Sequence, residues 1–338
     1  MGIDLATYGW NDTLAEQFTT FAAQGLIPGR IAREHTHIYR VYTAEGDLLA
    51  RVTGRLRHEA RGRRDFPAVG DWVALRPSER AGDAQIHAVL PRKSKFSRKV
   101  AGAAPEEQVV AANVDTIFLV SALDRDFNLR RLERYLVVAR ESRARPAIIL
   151  NKADLCTDVP SAIDAVQSIA PDIPVHATSC TRDEGLEALG SYLRPGHTVA
   201  LLGSSGVGKS TLINKLLGED RQRIRDVRAR DRRGRHTTAN RELIVMPGGA
   251  LMIDTPGMRE LQLWETEGGL QETFDDIDAL APDCFFRDCQ HREEPRCAVK
   301  AAVAAARISQ EHLDSYHKLK DELRRLSRKT EYRRQSTE

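Results

Sequence analysis

Between Arg30 and about Leu90, apolar and polar residues alternate in the short segments IYRVYT, DLLARVTGRL, GDWVAL and AQIHAVL, which the turn-forming stretches AEGD, PAVGD and ERAGDA separate. A period of two turns one face of each segment into a core and the other into water, so the pattern predicts a small antiparallel barrel. Five strands in roughly sixty residues suit an OB-fold. Farther along, the pattern changes: DTIFLVSAL, RPAIIL, IPVHA, HTVALL and ALMI are apolar runs of the kind that form strands of a buried parallel sheet. TLINKLLG reads as a helix, and the basic run from Lys318 to Arg334 as a helix that frays into a tail. No internal repeat is visible. AGAAPEEQ and WETEGGLQE read as linkers on either side of the sheet-forming region.

The turn after HTVALL carries the firmest chemistry. Gly203, four intervening residues (Ser204, Ser205, Gly206, Val207), then Gly208, Lys209 and Ser210 match the full Walker A pattern. Glycines let the backbone wrap so that its N–H groups point at phosphate oxygens, Lys209 reaches the β- and γ-phosphates, and the Ser210 hydroxyl suits Mg²⁺. Thr211 then opens a helix whose N-terminal dipole faces the same charge.

The base is read from NKAD, which follows RPAIIL and so falls at a strand's C-terminal end, where open α/β sheets bind ligands. Asp154 can accept from the N1–H and exocyclic amine of guanine, whereas adenine offers an acceptor at N1 and no amine there. Asn151, Lys152 and Ala153 brace that loop, with Lys152 covering the ring. ATSC follows IPVHA and brings Ser179 and the backbone amide near Cys180 to the guanine carbonyl. In DTPG, Asp254 would hold Mg²⁺ through water and the Gly257 amide would sense the γ-phosphate. The chain meets these pieces as NKAD, ATSC, Walker A and DTPG, a circular permutation of the Ras-like order with the usual termini joined near LRPGHT. New ends at exposed loops are tolerated.

Beyond the sheet, Cys284, Cys289, His291 and Cys297 supply three thiolates and one imidazole. That set fits one closed, structural zinc site per chain, with no open position for catalysis.

A Walker A behind NKAD, followed by GRHTT, DTPG and Cys-x4-Cys-x-His-x5-Cys, resembles the circularly permuted bacterial GTPases of small ribosomal subunit biogenesis, the RsgA type. The resemblance covers nearly the whole chain and is weakest over about the first twenty-eight residues and the last ten. It implies an all-β OB-fold barrel, a central permuted α/β P-loop GTPase domain and a C-terminal α-helical zinc-binding domain. It also implies GTP hydrolysis stimulated by the small subunit late in its maturation. The expected boundaries are 1–29 for an N-terminal extension, 30–100 for an RNA-binding barrel, 108–265 for the GTPase domain and 270–338 for the zinc-binding domain with its basic tail.

A net charge of +3 excludes little, but its distribution is informative: Arg221 to Arg235 holds eight arginines against two aspartates. Phosphate backbone is the natural counter-charge for such a segment, which points to ribosomal RNA as partner. RLRHEARGRR (55–64) and PRKSKFSRK (91–99), the second holding Phe96 among bases, are expected in RNA-facing loops of the barrel. No signal-peptide pattern or membrane-length apolar run is present, and Cys156 and Cys180 remain outside the zinc set. A cytoplasmic monomer without membrane contact is expected.

One gap stands out. Ras-like enzymes place a water-orienting Gln after DxxG, and here Met258 follows. GRHTT supplies the substitutes: Thr237 or Thr238 as switch ligand of Mg²⁺, with Thr238 preferred, and His236 to position or activate water, with Lys209 on the phosphates. A P-loop kinase or ATPase is disfavoured by NKAD. A GTP-binding RNA scaffold without catalysis and a permuted GTPase of large-subunit assembly stay open beside the main reading.

Overall fold

The computed structural model describes residues 3–35, 37–78, 82–100, 106–125, 127–218, 241–254 and 268–334. The alternating segments form β1 (Ile27–His35), β2 (Ile38–Thr43), β3 (Gly46–Val52), β4 (Trp72–Pro77) and β5 (Asp83–Val89). They close in the order β1-β2-β3-β5-β4 and back to β1, with only β3 and β5 parallel, the five-stranded OB-type barrel. Its interior is Ile31, Tyr39, Val41, Ala50, Val73, Leu75 and Ile86. Gly29 lies against this core, where a Cβ would come within 2.6 Å of Leu75 and Val41.

Two basic stretches expected in loops are in part regular. Gly54–Glu59 form a helix, α2 here, because the Thr53 hydroxyl accepts from the Leu56 amide at 3.2 Å and caps its first turn. Lys95–Val100 (β6) pair with Glu106–Ala112 (β7), so the EEQ of the expected linker is strand. Phe96 is only 1 % exposed in that hairpin and serves the core, not a base-stacking surface.

The described residues ahead of the barrel are also structured. Asn11 caps α1 (Asp12–Ala22), Trp10 meets Trp72 edge-on at 4.8 Å, and Tyr8 stacks on Tyr42 at 4.9 Å. Arg30 of β1, 1 % exposed, ties this segment to everything else. Its guanidinium donates to the carbonyls of Tyr8, Gly70 and Asn113 and, at 2.8 Å, to the Thr198 hydroxyl. Burial among these neutral oxygens, only partly opposed by Asp115 and Asp71 farther off, lowers its pKa to about 10.

The apolar runs become β8 (Thr116–Ala122), β9 (Arg145–Asn151), β10 (Val175–Ala177), β11 (Thr198–Leu202) and β13 (Leu251–Asp254), with β12 (Glu242–Val245) beside the last. Their spatial order is β10-β9-β8-β11-β13-β12, parallel throughout except for β12. The chain completes one flank before laying down the central β11, which is the permuted order of a P-loop GTPase sheet. Helices α3 (Leu129–Ser142), α4 (Val159–Ile169) and α5 (Lys209–Leu217) cover it. At its far edge β12 pairs with β1 through Arg33 and Glu242, so barrel and sheet share one hydrogen-bonded surface.

The C-terminal part is helical: α6 (Gly268–Thr273), α7 (Asp275–Leu280), α8 (Ala298–Ala304) and α9 (Gln310–Arg334). Gly268 and Gly269, expected in a linker, begin α6 instead. A Cβ on Gly269 would lie 2.6 Å from the Val137 carbonyl, so glycine here permits α6 to press onto α3. Among the described residues no helix is long and apolar enough to cross a membrane.

Candidate functional site

Each of the nucleotide-site loops singled out above begins, within the described residues, at the C-terminal end of a parallel strand. The turn after β11 runs from Gly203 to Gly208. Gly203 sits where a Cβ would meet the Val120 carbonyl at 2.3 Å, and Gly206 and Gly208 have φ of +82° and +93°, which only glycine adopts freely. Gly208 is the N-cap of α5 and no side chain caps that helix, which leaves its first N–H groups turned toward the loop. Lys209 folds its ammonium across the mouth, donating to the Gly203 and Ser204 carbonyls at 2.6 and 2.5 Å. Ser205 and Gly206 are exposed at the tip, Val207 is buried beneath it, and Ser210 and Thr211 stand half-buried at the helix start.

Asn151 joins this loop to the other two. Its amide donates to the Val207 carbonyl at 2.8 Å, while its Oδ1 accepts from the Thr178 hydroxyl at 3.2 Å and the Cys180 thiol at 3.4 Å. The side chain is 2 % exposed, so all three bonds are sheltered from water. Burial pushes the Cys180 thiol up, which keeps it a neutral donor.

Next to it, Lys152 adopts a left-handed φ of 60° and Ala153 begins a single 3-10 turn that presents Asp154. Oδ1 of Asp154 accepts from the Ser179 hydroxyl at 2.6 Å. That bond, with smaller help from Thr181 and Arg182, holds the carboxyl below its usual range and therefore ionised, an acceptor pair at the open end of the loop. Asp254 is the last residue of β13, the strand beside β11. Gly257, His236, Thr237, Thr238, Met258 and the Arg221–Arg235 segment lie outside the described residues.

A second centre lies in the C-terminal part. One ligand atom from each of Cys284, Cys289, His291 and Cys297 falls within 4.8 Å of all the others. Nδ1 of His291 is 3.5 Å from the Cys284 and Cys297 sulfurs, which are 3.9 Å apart. A tetrahedral zinc with ordinary bond lengths separates sulfur from nitrogen by about 3.6 Å and sulfur from sulfur by about 3.8 Å. The donor set and spacing fit a metal such as zinc, and burial lowers the His291 pKa toward the neutral, ligating form. A left-handed φ at His291 (61°) turns the chain between the ligands, and Cys297 caps α8 by accepting from the Lys300 amide.

These two centres can be set beside known proteins. The family model described as RsgA GTPase matches residues 89–264. A relative from Opitutus terrae named small ribosomal subunit biogenesis GTPase RsgA is 51 % identical over 94 % of this chain and 89 % of its own. The chain belongs to the RsgA GTPase family. Among solved structures, YjeQ from Thermotoga maritima shares 26 % identity with a TM-score of 0.65, over 88 % of this chain and 98 % of that one. YloQ, described as a circularly permuted GTPase, matches with a TM-score of 0.61 at 24 % identity over 88 % of this chain and 95 % of that one, a likeness of fold.

Two contacts in this member of the RsgA GTPase family carried no sequence signal. Lys152, expected over the base, pairs with Asp124 of the loop after β8 at 2.7 Å. Arg131, near the start of α3, donates to the Ser204 hydroxyl of the Walker A loop at 2.9 Å. Two and three residues farther along α3, Glu133 and Arg134 meet the C-terminal helix α9, through His312 and Glu322. A single helix therefore touches both the Walker A loop and the helical part that carries the Cys284, Cys289, His291 and Cys297 cluster. A basic residue one helical turn after an Asn cap is common on solvated faces, so nothing in the letters distinguished Arg131.

Proposed function

We propose that this GTPase binds GTP at the edge where β9, β10 and β11 end, and hydrolyses it to GDP and phosphate in the service of small ribosomal subunit maturation. The observation that carries the reading is the Asn151 bridge: one buried side chain holds the phosphate loop against both base loops, so that phosphate and guanine subsites form as a unit. Asp154, kept ionised by Ser179, reads the N1–H and amine of guanine; adenine would leave that carboxylate without partners. Gly203 to Thr211 enclose the phosphates, with Ser210 and Thr238 as Mg²⁺ ligands and Asp254 acting through water. Zinc at Cys284, Cys289, His291 and Cys297 is structural. It supplies no chemistry to the reaction and holds the C-terminal helices together.

The names of the relatives support the small subunit as partner, and the arginines from Arg221 to Arg235 support contact with its RNA. With Met258 after DTPG, the free protein turns over slowly. Contact of the arginine-rich segment with RNA brings His236 to the attacking water. The protein acts as a cytoplasmic monomer.

Single-turnover hydrolysis with and without small subunits tests this. Stimulation by about 10³ or more is expected, by analogy with partners that complete other GTPase sites. It should fall steeply between low and moderate salt while intrinsic turnover stays constant. Small subunits that leave the rate unchanged at every salt concentration overturn the reading.

A further inference from the structure

At the opposite edge of the same sheet, where β8, β9 and β11 begin, there is an open groove of about 590 Å³. Arg143, Arg145 and Arg194 enter it from three separate places: the C-terminal cap of α3, the first residue of β9 and the turn before β11. All three are exposed, and among the described residues none makes a side-chain hydrogen bond or an ion pair. The nearby acids are mostly committed. Asp172 is bidentate to Arg140 at 3.0 and 3.1 Å, and Asp115 takes Lys93 at 2.6 Å and the Thr198 amide at 2.9 Å. Glu272 is the one further carboxylate on the rim, so the groove holds four arginines against two acids.

Folding does not require this convergence, because the arginines bond to nothing that they would stabilise. Three like charges drawn to one concavity repel each other until an anion joins them. His197 sits at the floor of the groove, where burial first, then the charges of Arg194, Lys93 and Arg145, lower its pKa against the pull of Asp115. Lys93 of the segment 91–99 is itself paired with Asp115, as Arg92 is with Asp71 and Lys95 with Glu107, so the uncompensated charge on this face is concentrated in the groove, remote from the nucleotide edge.

We propose that this groove is an RNA-contacting surface in which Arg143, Arg145 and Arg194 take successive backbone phosphates. The inference rests on the reading above only in naming ribosomal RNA as the source of those phosphates. Guanidinium forks match phosphate oxygens in pairs, and the unpaired state of all three leaves those forks available.

The test uses the full-length protein, with Arg145 and Arg194 changed to Gln and Arg143 to Asn, which tolerates the φ of 66° at that position. Wild type and triple variant are titrated with intact small subunits and with the RNA extracted from them, over a series of salt concentrations. The variant should bind both at least about tenfold more weakly at moderate salt. The slope of log affinity against log salt should become shallower by roughly 2 to 3, since each phosphate contact contributes just under one. GTP affinity and intrinsic turnover should not change, because no altered residue is at the nucleotide edge.

If wild type binds subunits and the variant matches it in affinity and slope, the groove is not an RNA surface. If the variant loses subunits but keeps naked RNA, the groove has a protein partner and the inference is again overturned. Wild type that ignores subunits yet binds RNA through these arginines would sink the ribosomal reading and leave the groove standing. Wild type that binds neither sinks both.

Discussion

Glu133 of α3 places Oε1 2.6 Å from Nδ1 of His312 on α9, with side-chain exposures of 2 % and 8 %, so a buried ion pair clamps the C-terminal helices to the GTPase sheet. Asp276 takes the other ring nitrogen at 3.1 Å.

Burial alone would lower the His312 pKa, but the bonds to Asp276 and Glu133 outweigh it and raise the value to about 9. A folded pKa above the unfolded one gives stability that is complete below about 6.5 and lost as pH rises through 9. The docking should therefore weaken by about 3 kcal/mol over that interval. Thermal melts at fixed zinc from pH 6.5 to 9.5 should show the decline in wild type, and His312→Gln should be less stable at pH 6.5 but flat across the range. An equal decline in the variant would refute the assignment.

Asp154→Asn exchanges an acceptor for a donor opposite the guanine amine. GTP affinity should fall by about a hundredfold or more, and xanthosine triphosphate, with a carbonyl at that position, should gain. Competition between the two nucleotides measures the switch. Retention of full GTP affinity would place the base elsewhere.

Gly208 and Asn151 should behave as a coupled pair. A Cβ on residue 208 would stand 2.3 Å from Asn151 Nδ2 at a φ of +93°. Gly208→Ala is expected to cost about 2 kcal/mol or more through contact and backbone strain together. Asn151→Ala should cost about 1 to 3 kcal/mol by stranding the Val207 carbonyl and its other partners. In a double-mutant cycle the alanine at 208 should be cheaper when Asn151 is already gone. Strict additivity would mean that the two do not touch.

Cys284→Ser or Cys289→Ser should release zinc and loosen the C-terminal helices while the nucleotide edge survives, since structural zinc supplies on the order of 10 kcal/mol to small domains. Elemental analysis should find one zinc per chain in wild type and little in either variant. A metal-free chain with α8 and α9 fully protected from hydrogen exchange contradicts a structural metal.

What could be read in advance follows from locality. NKAD and the Walker A loop each stand directly after an apolar run, so strand, turn and chemistry are written in adjacent letters. The four residues of the candidate metal cluster are likewise close in sequence. Contacts that join distant segments leave no such trace: nothing near Trp10 announces Trp72, and nothing near Arg131 announces Ser204. Phe96 was drawn to the surface by its basic neighbours, whereas the hairpin turns it inward. Gly268 and Gly269 suggested a linker because glycine disfavours helices, but close approach to α3 uses the missing side chain.

The side-chain staple of Arg30 also sets an order of assembly. The barrel, complete by residue 89, has all five of its strand pairings, three of them between consecutive strands, within the first ninety residues and can close while the rest of the chain is still being synthesised. Its guanidinium, however, waits for Thr198, 168 residues later, and its outer strand waits longer still for Glu242. Until then a buried-type arginine and the rim around Trp10 face water. The two bodies are thus joined only after β8 to β11 have been made, so the seam between them cannot form until most of the parallel sheet is in place.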